Sequence, residues 1–138
     1  ELGFKIIIIT NQSGIARGFF TEKDYKNLTE KYIKILEKAG IHIEKIYHCP
    51  HHPDFDKNKY ICKCRKPQPG MILEAKKDFN LDLKESIIIG DKFTDLEAGY
   101  NAGIPKRYLI NKNRSKNKLV TKSFVNLLEC ANYIKKNF

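Results

Sequence analysis

The chain has 138 residues, of which 41% are hydrophobic, so it is long enough for one domain with one core and too apolar for a disordered protein. Its longest aliphatic run, Ile6–Ile9, is far below the roughly 18 residues of a membrane-spanning helix, and no export signal is apparent. We therefore expect a cytoplasmic protein without a membrane partner. The net charge of +10 favours anionic ligands, either nucleic acid or phosphorylated metabolites.

The positive charge is concentrated between Ala98 and Leu128, a stretch without Asp or Glu. A lysine-rich solvated surface would have the same composition, so charge alone does not identify a binding face. The basic residues of this stretch are Lys106, Arg107, Lys112, Arg114, Lys116, Lys118 and Lys122.

The first predicted element is a strand over residues 5–10, an apolar run typical of a strand that is buried on both faces. A polar loop follows, and Thr21 and Asp24 then have the spacing of a capping box that begins a helix ending at Gly40. The alternating residues 41–49 predict a second strand, which leads into a loop rich in cysteine and histidine. The apolar stripe of the helix comprises Tyr25, Leu28, Tyr32, Ile35, Leu36 and Ala39.

The second half of the chain continues the alternation of helices and strands. Residues 70–80 predict a helix with Asn80 as its C-cap, 86–90 a buried strand, 91–103 a short helix, 106–110 a fourth strand and 123–136 a closing helix. The apolar face of the closing helix comprises Phe124, Leu127, Leu128, Ala131 and Ile134. The pattern predicts one α/β domain, residues 1–138, with a mainly parallel sheet that binds ligands beyond the carboxyl ends of its strands.

Residues 48–66 form a candidate metal loop. Its soft ligands have the pattern Cys-x-His, ten residues, Cys-x-Cys, which suits a structural zinc ion in tetrahedral coordination. His52 competes with His51 for one ligand position, and the spacing does not choose between them. Four protein ligands leave no open position, so we expect this site to stabilise the loop and not to catalyse. The ligands are Cys49, His51 or His52, Cys62 and Cys64, whereas Cys130 is expected in the core.

Asp91 follows the predicted strand 86–90, and Asp95 lies four residues further on. Carboxylates at a strand end suit Mg²⁺, a hard cation that also binds phosphate oxygens. The alternative interpretation makes Asp91 the N-cap of the next helix and Asp95 a solvated helix residue.

A second polar group lies at the end of the first strand. Its hydroxyl, amide and backbone N–H groups could hold phosphate oxygens, although a plain turn has a similar composition. Arg65 and Lys66 add two cations after the metal loop, where surface charge is the alternative. Donors, cations and a carboxylate at strand ends together predict a site for phosphoryl groups. The polar group comprises Thr10, Asn11, Gln12 and Ser13, followed by Gly14.

The segments TNQSGIARG, CPHHP, CKCRKPQPGM and GDKFTDLEAGYNAG together resemble the haloacid dehalogenase superfamily. More narrowly, they are similar to D-glycero-D-manno-heptose 1,7-bisphosphate phosphatases and their histidinol-phosphate phosphatase relatives, over about residues 6–110. The resemblance implies a Rossmann-like three-layer α/β/α fold and a phosphoric monoester hydrolase. It also implies catalytic Mg²⁺, structural Zn²⁺ and release of phosphate through an aspartyl-phosphate. We expect a monomer whose partner is a small phosphorylated sugar.

The resemblance also implies roles for individual residues. Thr10 and Asn11 would bind phosphate and substrate, and Gln12 and Ser13 extend the same group. For the zinc ion, the resemblance selects His51 over His52. The implied zinc ligands are Cys49, His51, Cys62 and Cys64.

Four further residues receive roles from the same motifs. Arg65 would recognise the substrate, and Lys66 would neutralise the charge of the phosphoryl group. Asp91 would hold Mg²⁺, with Lys92 beside it in the site.

The chain departs from the family pattern at the nucleophile. The family's first motif is Asp-x-Asp at the end of the first strand, in which one Asp is the nucleophile and the other the general acid/base, but residues 1–9 contain no aspartate. The strand that carries the motif would be central, between those ending at Thr10 and Gly90. We therefore expect the chain to be N-terminally truncated or to begin at the wrong residue, and to be inactive toward phosphate esters.

Three functions remain open at this stage. The first is hydrolysis of heptose 1,7-bisphosphate at C7, which would serve lipopolysaccharide biosynthesis. The second is hydrolysis of histidinol phosphate, and the third is a non-catalytic, zinc-stapled module that binds nucleic acid or phosphorylated ligands. Against nucleic acid as a partner, residues 112–118 contain no aromatic side chain for base stacking, and Asp91 would repel an anion unless a metal ion intervened.

Overall fold

The computed structural model describes residues 2–56, 62–112 and 117–138. In this part of the chain, strands alternate with helices up to β4, and β5 and α4 follow, which confirms the predicted α/β class. No described helix has the length and apolar character needed to cross a membrane. The elements are β1 (Ile7–Asn11), α1 (Glu22–Lys38), β2 (Lys45–Cys49), α2 (Gly70–Phe79), β3 (Ile87–Gly90), α3 (Phe93–Asn101), β4 (Lys106–Ile110), β5 (Lys122–Phe124) and α4 (Leu127–Asn137).

The chain folds as two compact units, one comprising residues 3–65 and the other residues 1–2 and 66–138. In the first unit β1 and β2 pair in parallel, with Asn11 opposite Cys49. In the second unit β3, β4 and β5 form a three-stranded sheet in that order, also parallel throughout. Parallel neighbours require crossover connections, and in the first unit α1 supplies the crossover.

The first unit begins its helix as the sequence predicts. The backbone N–H of Asp24 donates to Thr21 Oγ1 at 3.1 Å, and the backbone N–H of Thr21 donates to Asp24 Oδ2 at 2.9 Å, which completes a capping box. The apolar stripe of α1 forms, but only its first member, Tyr25, is buried. Leu28, Tyr32 and Ile35 are exposed.

The second unit contains the larger set of buried apolar residues. Asn80 ends α2 in the left-handed region at φ 49°, as predicted. Cys130 is fully buried and packs with Tyr108 and Phe124, which places it in the core. The largest fully buried side chains among the described residues of this unit are Met71, Leu96, Leu109 and Cys130.

Three predictions about elements are wrong in detail. Residues 123–126 do not belong to the closing helix. Ser123 lies in β5, where it pairs with Leu109 of β4, and the side chain of Asn126 caps α4 by accepting from the N–H of Glu129 at 2.9 Å. Leu127 and Leu128, predicted on the apolar face of the closing helix, lie in α4 but are exposed. The second strand begins at Lys45, four residues later than predicted.

The strands predicted to be buried on both faces are only partly covered. Every residue of β1 is half-buried, and Ile89 of β3 is 37% exposed. Within residues 2–56, 62–112 and 117–138, β1 pairs only with β2 and β3 pairs only with β4. Each of these two strands therefore has one edge without a described neighbour.

Candidate metal centre and phosphate site

The metal loop and the polar group after β1 begin at the same edge of one sheet. Parallel strands end side by side, and the register sets Thr10 opposite His48 and Asn11 opposite Cys49. The backbone N–H of Gln12 donates to the carbonyl of Cys49 at 2.8 Å, which extends the pairing one residue beyond β1. The first metal ligand and the candidate phosphate donors are therefore neighbours in the first unit.

Four side chains of the metal loop converge on one point. The sulfur atoms of Cys49, Cys62 and Cys64 and a ring nitrogen of His51 all lie within 4.8 Å of one another. Cys49 Sγ lies 3.5 Å from Cys62 Sγ and 2.9 Å from Cys64 Sγ, and His51 Nδ1 lies 3.3 Å from Cys64 Sγ. Zinc–sulfur bonds of about 2.3 Å put the ligand atoms of a tetrahedral site roughly 3.8 Å apart. The donor set fits a four-coordinate metal ion, which would hold the sulfur atoms further apart than the 2.9 Å and 3.5 Å separations seen here.

His52 does not join this cluster, and neither does His48. His52 is buried and its ring Nε2 lies 2.9 Å from Arg17 Nη2. His48 contacts α1, with Nε2 2.9 Å from Glu22 Oε2 and its ring 4.4 Å from that of Tyr25. Of the two histidines that the spacing left open, the structure places His51 among the cysteines.

The thiols of the cluster have different acidities. Burial raises the pKa of Cys49 and of Cys64 above the usual value for a thiol. Burial acts in the same direction on Cys62, but its pKa is lowered because the backbone hydrogen bond from Arg65 and the neighbouring thiols outweigh it. A metal ion binds thiolates, so binding must displace protons and weakens as the pH falls.

The polar group after β1 forms a compact turn. Gln12 Nε2 donates to Thr10 Oγ1 at 2.9 Å, and the carbonyl of Ser13 accepts from the backbone N–H of Arg17 at 3.1 Å. Gly14 lies against Phe20, where an added Cβ would be 2.2 Å from Cε1 of the ring, so a larger residue there would have to displace the Phe20 side chain. Asn11, the last residue of β1, lies in the same stretch. The turn can present hydroxyl, amide and backbone donors to an anion.

Arg65, the last residue of the first unit, is tied to the metal loop. Its Nη1 donates to the carbonyl of His51 at 3.1 Å. The guanidinium is thereby fixed next to a metal ligand, with further donors remaining for a substrate.

In the second unit the structure brings Lys66 and Asp95 together. Lys66 Nζ lies 2.7 Å from Asp95 Oδ1, and the two side chains are only 11% and 10% exposed. The other oxygen of Asp95 accepts from the backbone N–H of Lys92 at 3.0 Å and so caps α3. The alternative that Asp95 is a solvated helix residue is therefore wrong.

Asp91 is exposed, directly after β3. It is not the N-cap of α3, since Lys92 occupies that position. Gly90, between β3 and Asp91, allows Asp95 to approach: a Cβ at Gly90 would lie 2.4 Å from Cβ of Asp95. The second unit thus presents a free-standing carboxylate at Asp91, an exposed cation at Lys92 and a buried ion pair behind them.

The basic stretch is partly used in internal contacts. Lys106 Nζ pairs with Glu85 at 3.0 Å, Lys122 Nζ lies 4.0 Å from the centroid of the Tyr133 ring, and Arg107 donates to the carbonyls of Ile104, Pro105 and Leu119. Arg114 and Lys116 lie outside the described residues. These contacts argue that much of the charge supports the fold, which weakens the interpretation as a nucleic-acid module.

Residues 1–123 match the family model described as polynucleotide kinase 3 phosphatase. The chain is 50% identical over 112 residues to the D-glycero-alpha-D-manno-heptose-1,7-bisphosphate 7-phosphatase of Photorhabdus laumondii, covering 80% of this chain and 61% of that relative. It is 43% identical over 132 residues to the enzyme of the same name from Campylobacter jejuni, covering 96% of this chain and 72% of the relative.

Two solved structures are also similar. The D,D-heptose 1,7-bisphosphate phosphatase of B. bronchiseptica, solved with magnesium and phosphate, is 28% identical with a TM-score of 0.83 and matches 97% of this chain and 75% of that chain. A HAD-like phosphatase from Mesorhizobium loti is 29% identical with a TM-score of 0.84 and matches 97% and 66%. The chain thus spans 61% of the length of its Photorhabdus relative and 75% of the B. bronchiseptica structure.

Proposed function

The chain belongs to the polynucleotide kinase 3 phosphatase family and is homologous to heptose-1,7-bisphosphate 7-phosphatases, and from this premise we propose that it serves Mg²⁺-dependent hydrolysis of D-glycero-D-manno-heptose 1,7-bisphosphate at C7. The observation that carries the proposal is the nearly buried lysine of the second unit. Lys66 Nζ is held by Asp95 at 2.7 Å, next to a strand end that carries Asp91. Such a preorganised cation stabilises the charge of a phosphoryl group without reorganisation.

In this proposal the residues of the second unit manage charge. Asp91 holds Mg²⁺, which when bound would neutralise the phosphoryl oxygens. Lys66 adds a positive charge on the same group, and Asp95 keeps its ammonium in place. Lys92, exposed beside Asp91, contacts the substrate.

The residues of the first unit bind and orient. Thr10 and Asn11 receive phosphate oxygens, supported by Gln12 and Ser13 in the compact turn. Arg65, fixed on the carbonyl of His51, contacts the sugar phosphate. The ion held by the cysteine cluster is zinc in this proposal, because three thiolates and one imidazole suit it.

A cytoplasmic location and a role in lipopolysaccharide biosynthesis are part of the same proposal. The four cysteines are free thiols, and three of them form the metal cluster, which needs a reducing compartment. The heptose bisphosphate in the names of the relatives supports the metabolic role.

The test compares three ligands on the purified 138-residue chain loaded with Zn²⁺ and Mg²⁺. Binding is measured by calorimetry and phosphate release by a colorimetric assay. We expect the heptose bisphosphate to bind more tightly than histidinol phosphate or a single-stranded oligonucleotide. We expect no phosphate release, since residues 1–9 supply no aspartate nucleophile.

If histidinol phosphate binds more tightly than the heptose bisphosphate, histidinol phosphate becomes the favoured substrate. Tight oligonucleotide binding with a steep salt dependence would favour the non-catalytic module. Release of phosphate by this chain would show that another residue acts as the nucleophile.

A further inference from the structure

Arg17 occupies a turn whose backbone is held on two sides. Its N–H donates to the carbonyl of Ser13 at 3.1 Å, and the preceding residue, Ala16, donates to the carbonyl of Pro50 at 3.2 Å. Gly18 continues the chain in the left-handed region at φ +74°. The turn that carries the candidate phosphate donors thus also fixes Arg17 against the start of the metal loop.

The side chain of Arg17 is oriented by two residues of the metal loop. Its Nη2 lies 2.9 Å from Nε2 of His52, and its guanidinium carbon lies 5.5 Å from the centroid of the Phe55 ring. A guanidinium can only donate, so Nε2 of His52 is the acceptor. A neutral imidazole has only one acceptor nitrogen, so the donors at its two nitrogens compete for it. The backbone N–H of Asp54 approaches Nδ1 at 3.2 Å, but this contact is longer than the one from Arg17 and its donor carries no charge.

The charge of Arg17 is not balanced by a carboxylate in the described structure. Arg17 is exposed and makes no ion pair with any residue in the described ranges. Two acids contact its partner instead: Asp56 Oδ2 accepts from the backbone N–H of His52 at 2.8 Å, and Oδ2 of Asp54, an 82% exposed side chain, lies 3.8 Å from Nδ1, the ring nitrogen that does not face Arg17. A guanidinium that is held in place, with donors left over and no counter-ion, is prepared to bind an anion.

We propose that Arg17 binds the phosphate group of the substrate that is not hydrolysed, and that His52 is a positioning residue that orients its guanidinium. The proposal rests on the proposed function, since it assigns a second anion site to the same bisphosphate. The turn at Thr10–Ser13 receives the reacting phosphate, and Arg17, four residues beyond Ser13, receives the distant one. Arginine suits this task because its planar donors match two phosphate oxygens at once.

The experiment measures the affinities of three ligands by calorimetry on the zinc- and magnesium-loaded chain: heptose 1,7-bisphosphate, heptose 7-phosphate and heptose 1-phosphate. For Arg17→Gln we expect the affinity for the bisphosphate and the 1-phosphate to fall about 10- to 100-fold, as for loss of a charged hydrogen-bonding pair. The affinity for the 7-phosphate should stay within about twofold, because it lacks the group that Arg17 binds.

Two further variants separate binding from a structural role. His52→Leu removes the acceptor and should weaken bisphosphate binding, whereas His52→Gln keeps an acceptor oxygen and should restore most of it. Zinc content, measured on each variant, shows whether the metal loop is intact. Lys31→Gln, which removes an exposed charge from α1 in the same unit, is the matched control and should leave all three affinities unchanged.

An equal loss for all three ligands in Arg17→Gln would show that Arg17 only holds the loops together and would overturn the proposal. The proposal would also be overturned if the wild type and Arg17→Gln bound the 1-phosphate with equal affinity. If the 7-phosphate fails to bind while the 1-phosphate binds in an Arg17-dependent manner, the proposed function fails and the anion site at Arg17 stands.

Discussion

Asp95 shows how one residue can serve two elements of the second unit. Its carboxylate holds Lys66 at 2.7 Å with one oxygen and caps α3 through the N–H of Lys92 with the other. The side chains of Lys66 and Asp95 are strongly shielded from water, so solvent does not satisfy the ammonium group if the carboxylate is lost. The pair therefore positions the candidate catalytic lysine and also stabilises the unit.

We expect Asp95→Asn to lower the free energy of unfolding by about 3 kcal/mol, because it leaves a nearly buried ammonium without a counter-charge. Urea denaturation monitored by circular dichroism measures the change. Glu97→Gln, which removes a charge from the same helix, should cost less than about 0.5 kcal/mol. Equal effects of the two substitutions would show that the ion pair contributes little.

At this scale the sequence identifies candidate residues but not their partners. Asp91 and Asp95 both follow β3 and look equivalent as carboxylates, yet one is exposed and the other is buried against Lys66. The difference depends on the approach of α3 to Gly90, which is a packing contact. The sequence did not single out Arg17 within its motif, because its contact with His52 joins positions 35 residues apart.

The helix α1 depends on its capping box more than on burial, because Tyr25 is its only buried residue. Thr21→Ala removes the acceptor for the Asp24 N–H and should destabilise the first unit by about 1 kcal/mol. Thr29→Ala, the same change inside the helix, should not destabilise it. Hydrogen exchange of the α1 amides distinguishes the two variants, and equal exchange rates would contradict the assigned role of the cap.

The same box makes α1 sensitive to acid. Hydrogen bonds from Thr21 lower the pKa of Asp24 below its ordinary value of 3.8. A carboxyl whose pKa is lower when folded stabilises the fold above its unfolded pKa, and this contribution is lost as the pH falls through the folded pKa. NMR titration of the Asp24 carboxyl should give a pKa below 3.8 in the wild type and one closer to 3.8 in Thr21→Ala.

We expect the order of the metal loop to depend on a bound metal ion. The chain should bind one Zn²⁺, and Cys62→Ser should lose it, while Cys130→Ser should retain it because Cys130 lies in the core of the second unit. Removing the metal with a chelator should speed hydrogen exchange in residues 49–56 and 62–64 and leave β3, β4 and β5 protected. Affinity should fall with decreasing pH, since Cys49 and Cys64 have raised pKa values. Retention of zinc by Cys62→Ser would contradict the ligand set.

The sequence predicted helix boundaries correctly where the apolar periodicity and a capping residue agreed. Thr21 is the N-cap that begins α1, and Asn80 is the C-cap that ends α2. The short strand β5 was missed, because Lys122–Phe124 has no alternation of its own and is a strand only through its pairing with β4. Tertiary pairing decided that segment, as it often does for short strands.

The chain contains two parallel sheets, and within the described residues β1 and β3 are each an edge strand of their own sheet. The sequence predicted apolar strands, and β1 and β3 are apolar, but burial on both faces depends on neighbours that the runs themselves do not specify. The net positive charge is also a property of the whole chain. How much of it is available to a ligand depends on internal contacts, such as the ion pair between Lys106 and Glu85.

If this chain binds a sugar bisphosphate with the help of Mg²⁺ held by Asp91, as we propose, its affinity for the sugar bisphosphate must depend on Mg²⁺ and on Asp91. The most direct test is calorimetric titration of the zinc-loaded chain with heptose 1,7-bisphosphate, with and without Mg²⁺, for the wild type and Asp91→Asn. We expect Mg²⁺ to tighten binding at least tenfold in the wild type, a change of about 1.4 kcal/mol, and to have no effect in Asp91→Asn. Binding that is equally tight in the absence of Mg²⁺, or an equal response to Mg²⁺ in both proteins, would contradict it.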